Sequence, residues 1–329
     1  MSNVFHTYVT REIPSVGLDL LLQAGSVETW QGDAPPPREE LIERVAECQG
    51  LLCLLTDRID AEVMDAAPRL KVISTYAVGT DNIDVAAATE RGICVCNTPG
   101  VLTDATADLA WALLMAAARR IVEADACARS GAWVSWGPQL LLGQPIAERT
   151  LGIIGMGRIG RAVARRAVGF DMRILYCARH PDAEAERATG ARYVDLDTVL
   201  RESDFLSLHA PLTAETRGLI GVAELAKMKP TAVLVNTARG PIVDQAALAD
   251  ALRDGRLFAA GLDVFEDEPI PPGDPLLRLP NVVLAPHIGS ADEPTRARMA
   301  IMAAESILDV LQARMPAHLV NPDVWDHRK

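Results

Sequence analysis

The sequence predicts a two-domain α/β protein in which a doubly wound parallel sheet is inserted into a smaller α/β domain. Three observations predict it. Gly155-Met156-Gly157-Arg158-Ile159-Gly160 lies between the apolar run Leu151–Ile154 and a helical stretch, Arg161–Val168. That motif sits almost halfway along the 329 residues rather than near the start. Strand-like and helix-like segments alternate on both sides of it.

Before the motif, Leu51–Leu55, Lys71–Thr75 and Ile93–Cys96 are apolar runs of strand length. Arg38–Cys48 places Leu41, Ile42, Val45 and Ala46 on one helical face. Thr103 is expected to cap an Ala- and Leu-rich stretch, Asp104–Ser130, which holds no Pro or Gly. That stretch reads as one helix, long enough to run from one domain into the next. From Leu151 the strand–helix rhythm resumes, with strands at Met172–Tyr176, Phe205–Leu208, Ala232–Val235, Ala259–Leu262 and Val282–Leu284. Asp244–Arg253 reads as a helix closed by Gly255. A last Ala-rich helix, Pro294–Arg314, is expected to return the chain to the first domain. The expected division is residues 1–101 with 288–329, and 102–287 between them.

Composition narrows the function classes. A net charge of −12, with no Lys/Arg run, argues against nucleic-acid binding. A hydrophobic share of 49% and a mean hydropathy of +0.13 fit a compact globular enzyme. No basic-then-apolar leader and no apolar run of about 18 residues occur, so a cytoplasmic, membrane-free protein is expected. The six cysteines show no zinc spacing beside histidines and read as free thiols in a reducing compartment. No metal is expected.

The glycine motif has a physical reading: a tight turn, backbone close to a pyrophosphate, and an anion at a helix N-terminus. Alone it could be an ordinary strand–helix turn; the strand, the helix and the sheet half downstream favour a dinucleotide site. An NAD site calls for an acidic residue about 20 residues beyond the glycines, for the ribose 2′-OH. Here the second strand ends Tyr176-Cys177-Ala178-Arg179-His180, without a carboxylate. Arg179, with His180 beside it, suits a 2′-phosphate, so NADP(H) is expected, with NAD(H) as the alternative.

His209 and His287 each follow a predicted sheet strand, where open α/β sheets hold ligands. His287 lies in Ala285-Pro-His-Ile-Gly289, and Glu266, Asp267 and Glu268 follow the preceding strand. One of those carboxylates could orient and charge the ring. Arg239, in Asn236-Thr-Ala-Arg-Gly240, could clamp a carboxylate bidentately or form a surface ion pair.

With these motifs assembled, the chain resembles the D-isomer-specific 2-hydroxyacid dehydrogenases, and within them the glyoxylate/hydroxypyruvate reductases. The resemblance rests on six ordered stretches spread over essentially the whole chain. They are Ala77–Asp84, Asn97–Asp104, Leu151–Gly160, Asn236–Gly240, Gly261–Pro269 and Pro286–Ser290. It implies a Rossmann-type nucleotide domain inserted into a smaller, flavodoxin-like substrate domain. It also implies hydride transfer to a small 2-oxo acid, with Arg239, Glu268 and His287 as the catalytic set and His287 as proton donor.

By the same likeness, the backbone of Val78 and Gly79 would hold the substrate carboxylate and Leu54 would line the pocket, placing substrate in a cleft between the domains. Cofactor contacts would fall on Thr106, Gly155–Gly160 (Met156, Gly157, Arg158 and Ile159 included), Ala178, Arg179, His180, His209, Pro211, Thr216, Thr237, Ala238, Arg239, Asp263, His287 and Gly289. Trp133 and Trp136 would belong to a homodimerisation arm, with Trp136 as a further substrate-pocket residue. Val78 stands where the similar phosphite dehydrogenases carry Lys, which counts against phosphite. Phosphoglycerate dehydrogenases often add a regulatory domain, whereas this chain ends soon after its last helix. Within the enzyme class another or bulkier 2-oxo acid stays open as substrate. The C-terminal-binding corepressors share the Arg, Glu and His, leaving nucleotide-sensing as the alternative from another class.

Overall fold

The computed structural model describes residues 5–329. These form two compact units, one running to Leu102 and resuming at Ala291–Lys329, the other Thr103–Ser290.

The first unit is a five-stranded parallel sheet. Along the chain come β1 (Phe5–Val9), α1 (Ser15–Ala24), β2 (Gly25–Thr29), α2 (Arg38–Val45), β3 (Gly50–Cys53), α3 (Ala61–Asp65), β4 (Val72–Thr75), α4 (Val85–Glu90) and β5 (Cys94–Cys96). The spatial order β2-β1-β3-β4-β5 is the flavodoxin-like arrangement, whose switch point lies between β1 and β3. β3, β4 and β5 are buried along their whole length, which is why they read as unbroken apolar runs. The closing helix Glu293–Leu311 covers one face of this sheet, burying Met299, Ala303, Ala304 and Ile307 against Val9, Leu52 and Val72. Asp292 caps it by accepting from the Thr295 N–H at 2.7 Å. The helix therefore starts at Glu293 and stops at Leu311, short of the expected Arg314.

The second unit begins with α5 (Thr103–Ala118) and α6 (Ile121–Arg129). The single helix expected over Asp104–Ser130 is thus broken, and Thr103 is its first residue rather than its cap. The break has a tertiary cause. Gln144 N–H donates to the Ala118 carbonyl at 2.8 Å, and Arg120 turns left-handed at φ 53°. Gly143 lies so close that a Cβ there would come within 2.3 Å of the Ala118 oxygen. A packed loop takes the carbonyl that would have carried the helix onward. Both helices lie inside this unit; neither runs into the other one.

A seven-stranded parallel sheet follows: β6 (Thr150–Ile154), β7 (Arg173–Cys177), β8 (Arg192–Tyr193), β9 (Phe205–Leu208), β10 (Val233–Asn236), β11 (Ala259–Leu262) and β12 (Val282–Leu284). Its order, β8-β7-β6-β9-β10-β11-β12, is the doubly wound Rossmann arrangement with the switch point between β6 and β9. Helices α7 (Arg158–Ala167), α8 (Ala183–Thr189), α9 (Leu196–Glu202), α10 (Val222–Leu225) and α11 (Gln245–Arg253) connect the strands. One apolar layer packs α5 and α7 on the sheet through Ala110, Trp111, Leu114, Val163 and Ala167. The opposite layer is built on Leu200, Leu206, Leu234, Leu248 and Leu252. No described helix is long and apolar enough to cross a membrane.

Candidate active site

The glycine loop is shaped by contacts no side chain would allow. Gly155 has φ 95°, and a Cβ there would meet Ala210 N at 2.5 Å. At Gly160 a Cβ would sit 2.1 Å from the Gly155 oxygen, so the first turn of α7 packs directly on the strand end. Gly157 meets nothing within 4 Å, which leaves the backbone open on its outer side. It is also the N-cap of α7, with no side chain satisfying the first-turn N–H groups. A buttressed turn ending in exposed N–H donors is what a pyrophosphate requires. Met156, Arg158 and Ile159 fill the rest of that turn, and α7 begins at Arg158, three residues before the sequence expectation.

Beyond β7, Gly155 N–H donates to the Cys177 carbonyl at 2.9 Å, tying the loop to the second strand end. There the Ala178 carbonyl accepts from the Tyr193 hydroxyl at 3.1 Å, while Arg179 and His180 stand exposed. The nearest carboxylate downstream, Asp182, caps α8 and pairs with Arg161 at 2.5 Å. It is committed to the protein.

His209 follows β9, and its ring bonds the Ser207 hydroxyl at 2.8 Å. Burial lowers its pKa to about 4, which holds the imidazole neutral. The loop beyond is closed by the Thr216 hydroxyl, which donates to the Pro211 carbonyl at 2.6 Å. Thr237 is buried, and its hydroxyl has no partner among the described residues.

Three further strand ends converge. After β10, the Asn236 side chain donates to the Arg239 carbonyl at 2.9 Å and accepts from the Ala238 N–H at 3.0 Å, fixing the turn that carries Arg239. The Arg239 Nη1 donates to the Ala238 carbonyl at 2.8 Å. A Cβ on Gly240 would lie 1.9 Å from the Phe265 carbonyl carbon, so this turn is pressed onto the loop after β11. In that loop Glu268 Oε1 accepts from Phe265 N–H at 3.0 Å, and its Oε2 meets His287 Nδ1 at 2.6 Å. His287 itself adopts φ 54°.

The anchor for His287 is Asp263, a residue that sequence reasoning placed only among cofactor contacts. Its carboxylate accepts from Ile288 N–H at 2.7 Å and Gly289 N–H at 2.8 Å. Burial pushes this carboxyl up to about 6, against the opposing pull of those two N–H groups and of His287. A Cβ on Gly289 would touch both Asp263 and Thr106, so these three share one tightly packed corner.

Leu54, Val78 and Gly79 belong to the first unit, on the loops that leave the carboxyl ends of β3 and β4. Trp136 lies in the second unit beyond α6 and is 79% exposed. Glu266, one of three acidic residues open to pairing with His287, instead accepts from Gln245 N–H at 3.1 Å. No cluster of three or more metal-ligating side chains occurs among the described residues.

Residues 111–289 match the family described as D-isomer specific 2-hydroxyacid dehydrogenase, NAD binding domain. A glyoxylate reductase of Korarchaeum cryptofilum is 57% identical over 318 residues, 96% of each chain. One of Thermococcus litoralis is 52% identical over 321 residues, 96% of this chain and 97% of its own. Among solved structures, a protein of Thermus thermophilus superposes with a TM-score of 0.91 at 51% identity, covering 96% of this chain and all of that one. An NADPH-dependent glyoxylate/hydroxypyruvate reductase of Sinorhizobium meliloti, in complex with NADP and malonate, gives 0.84 at 33% identity, covering 96% of both. This chain belongs to the D-isomer-specific 2-hydroxyacid dehydrogenases.

Proposed function

We propose that this dehydrogenase reduces a small 2-oxo acid of the glyoxylate or hydroxypyruvate type to the D-2-hydroxy acid, with NADPH preferred over NADH. The observation that carries the reading is the His287–Glu268 pair at 2.6 Å, beside the turn that holds Arg239. A bound nicotinamide supplies the hydride that reaches the carbonyl carbon. The protein's part is to hold the acid and to move one proton. Glu268 engages Nδ1 and thereby sets the ring's orientation, which assigns Nε2 of His287 to donate the proton to the carbonyl oxygen. Arg239, permanently charged and forked, is assigned to the substrate carboxylate and to polarising the carbonyl. Val78 and Gly79 N–H groups are assigned to the same carboxylate, and Leu54 to the apolar wall.

Two features support NADPH. The turn after β7 offers Arg179 and His180 and no uncommitted carboxylate. The rest of the cofactor set is assigned to Thr106, the Gly155–Gly160 loop, Ala178, His209, Pro211, Thr216, Thr237, Ala238, Asp263 and Gly289. A homodimer is part of the reading. Trp133, Val134, Trp136 and Leu142 expose large apolar surface on one segment, as an arm that packs on a second copy would. Six unpaired cysteines, four of them buried, suit the cytoplasm.

The test is steady-state turnover of glyoxylate, hydroxypyruvate and bulkier 2-oxo acids with NADPH and with NADH. Highest kcat/KM for the small acids with NADPH is expected. Absence of turnover across the panel would instead favour a nucleotide-sensing binding protein.

A further inference from the structure

Within the first unit, the two segments assigned to the substrate are joined by two polar side chains, the buried Asp57 and the half-buried Asn82. Leu54 follows β3 and begins a tight turn in which Asp57 N–H donates to the Leu54 carbonyl at 3.1 Å. The Leu54 N–H donates to Asp57 Oδ2 at 2.7 Å, and the Thr10 hydroxyl, just beyond β1, donates to the same oxygen. Asp57 is 3% exposed. The Asn82 amide donates to the Leu54 carbonyl at 3.0 Å and to the Asp57 carbonyl at 2.9 Å. Both peptide groups of Leu54 are therefore held by side chains.

Asn82 lies three residues beyond Gly79, in the loop that carries Val78. That loop has a second mount. Asn97 donates its amide N–H to the Val78 carbonyl at 2.7 Å, and Thr98 N–H donates to the Ala77 carbonyl at 2.9 Å. The Asn82 carbonyl also accepts from Ile59 N–H at 2.9 Å, which closes the connection between the two loops through the backbone. Neither Val78 N–H nor Gly79 N–H donates to any group among the described residues.

Burying a carboxylate such as that of Asp57 is costly unless the bonds it makes have a use. Here every one of those bonds fixes either Leu54 or the loop of Val78 and Gly79. We propose that Asn82 and Asp57 are positioning residues that lock the Leu54 turn to the Val78–Gly79 loop. The result is one rigid platform that selects small 2-oxo acids over bulkier ones. This rests on the reading above, in which those two segments receive the substrate. Carboxylate donors on one loop and an apolar wall on the other discriminate by size only while their spacing is fixed.

The test uses full-length Asn82→Asp, which keeps volume and loses both donors, and Asp57→Ala, which removes the acceptor shared by Leu54 N–H and Thr10. For Asn82→Asp, KM for glyoxylate should rise about tenfold while kcat stays within about threefold. Its Kd for NADPH, read by fluorescence, should stay within about twofold of the parent. The kcat/KM advantage of glyoxylate over 2-oxoisocaproate should narrow. Asp57→Ala should raise KM for glyoxylate in the same way, and an unchanged KM in folded Asp57→Ala removes Asp57 from the platform and overturns the inference. Unchanged KM in a folded Asn82→Asp overturns the inference, as does an equal loss in NADPH affinity, which a general structural role would cause. Should Asn82→Asp fail to fold, Thr10→Val removes one donor to Asp57 and must raise KM for glyoxylate alone; no rise there overturns it too. A parent chain that reduces no 2-oxo acid overturns the functional reading together with this one. A parent that does, beside an unmoved Asn82→Asp, overturns this one alone.

Discussion

Glu268 Oε2 and His287 Nδ1 lie 2.6 Å apart, although the two residues are 19 positions apart in the chain with a strand between them. Each is held by backbone as well. Glu268 accepts from Phe265 N–H through its other oxygen, and Asp263 accepts from the two N–H groups that follow His287. The ring is thus held at Nδ1 and the backbone that follows it is pinned before any substrate arrives, the arrangement a positioned proton donor needs.

His287→Ala should lower kcat by about 10²- to 10⁴-fold, the range for loss of a positioned acid–base group, with NADPH affinity retained. Glu268→Gln keeps the bond to Phe265 but loses the charge beside the ring, so its kcat should fall by less. Retention of parental kcat by His287→Ala would remove the proposed proton donor.

The glycine loop separates shape from binding. Gly155→Ala forces a Cβ into the Ala210 backbone at a positive φ, so it should cost at least about 2 kcal/mol of stability as well as cofactor affinity. Gly157→Ala meets no protein atom within 4 Å; it should keep the parental Tm and lose NADPH affinity only. A shared drop in Tm for both variants would contradict this division. Differential scanning fluorimetry with and without NADPH reads both quantities.

Arg179 decides the nucleotide in the proposed reading. Arg179→Ala should cut kcat/KM for NADPH at least about tenfold, the scale of a lost charge-assisted phosphate contact, and leave NADH nearly unchanged. If both cofactors fall equally, Arg179 does not read the 2′-phosphate.

The buried ring of His209 predicts an acid-side stability slope. Its folded pKa is lowered to about 4 by burial, whereas an unperturbed histidine titrates near 6.5. Between those values the unfolded chain binds a proton the folded chain refuses, so stability falls as pH drops from about 6.5 towards 4. His209→Gln should flatten chemical-denaturation stability over that window by up to about 1 kcal/mol per pH unit. A slope identical to the parent's would assign the acid sensitivity elsewhere.

Much of this protein was legible without coordinates because the signals are local. A buried parallel strand is a short apolar run, and the runs read in the second unit lie within one residue of the observed strand ends. The glycine spacing and the Arg and His just beyond strand ends are equally local facts. The N-terminal β1 and β2 are not legible as apolar runs, since His6, Thr7 and Glu28 interrupt them. Helices α3, α4 and α8–α10 are only four to seven residues long, too short to show a period.

What the sequence by itself determined was therefore which segments become strands, where a phosphate-binding turn forms, and which residue types reach the sheet edge. The residues themselves left three neighbouring acids open to His287, and the resemblance pointed to Glu268. Only the tertiary structure shows that contact, and that Asp263 holds the loop carrying His287. It also decided that the Ala-rich helix stops at Ala118, because Gly143 and Gln144 pack onto its last carbonyl. The reason is common to all three. Secondary structure follows from bonds between near neighbours, whereas each of these hydrogen bonds depends on the fold bringing together segments far apart in the chain.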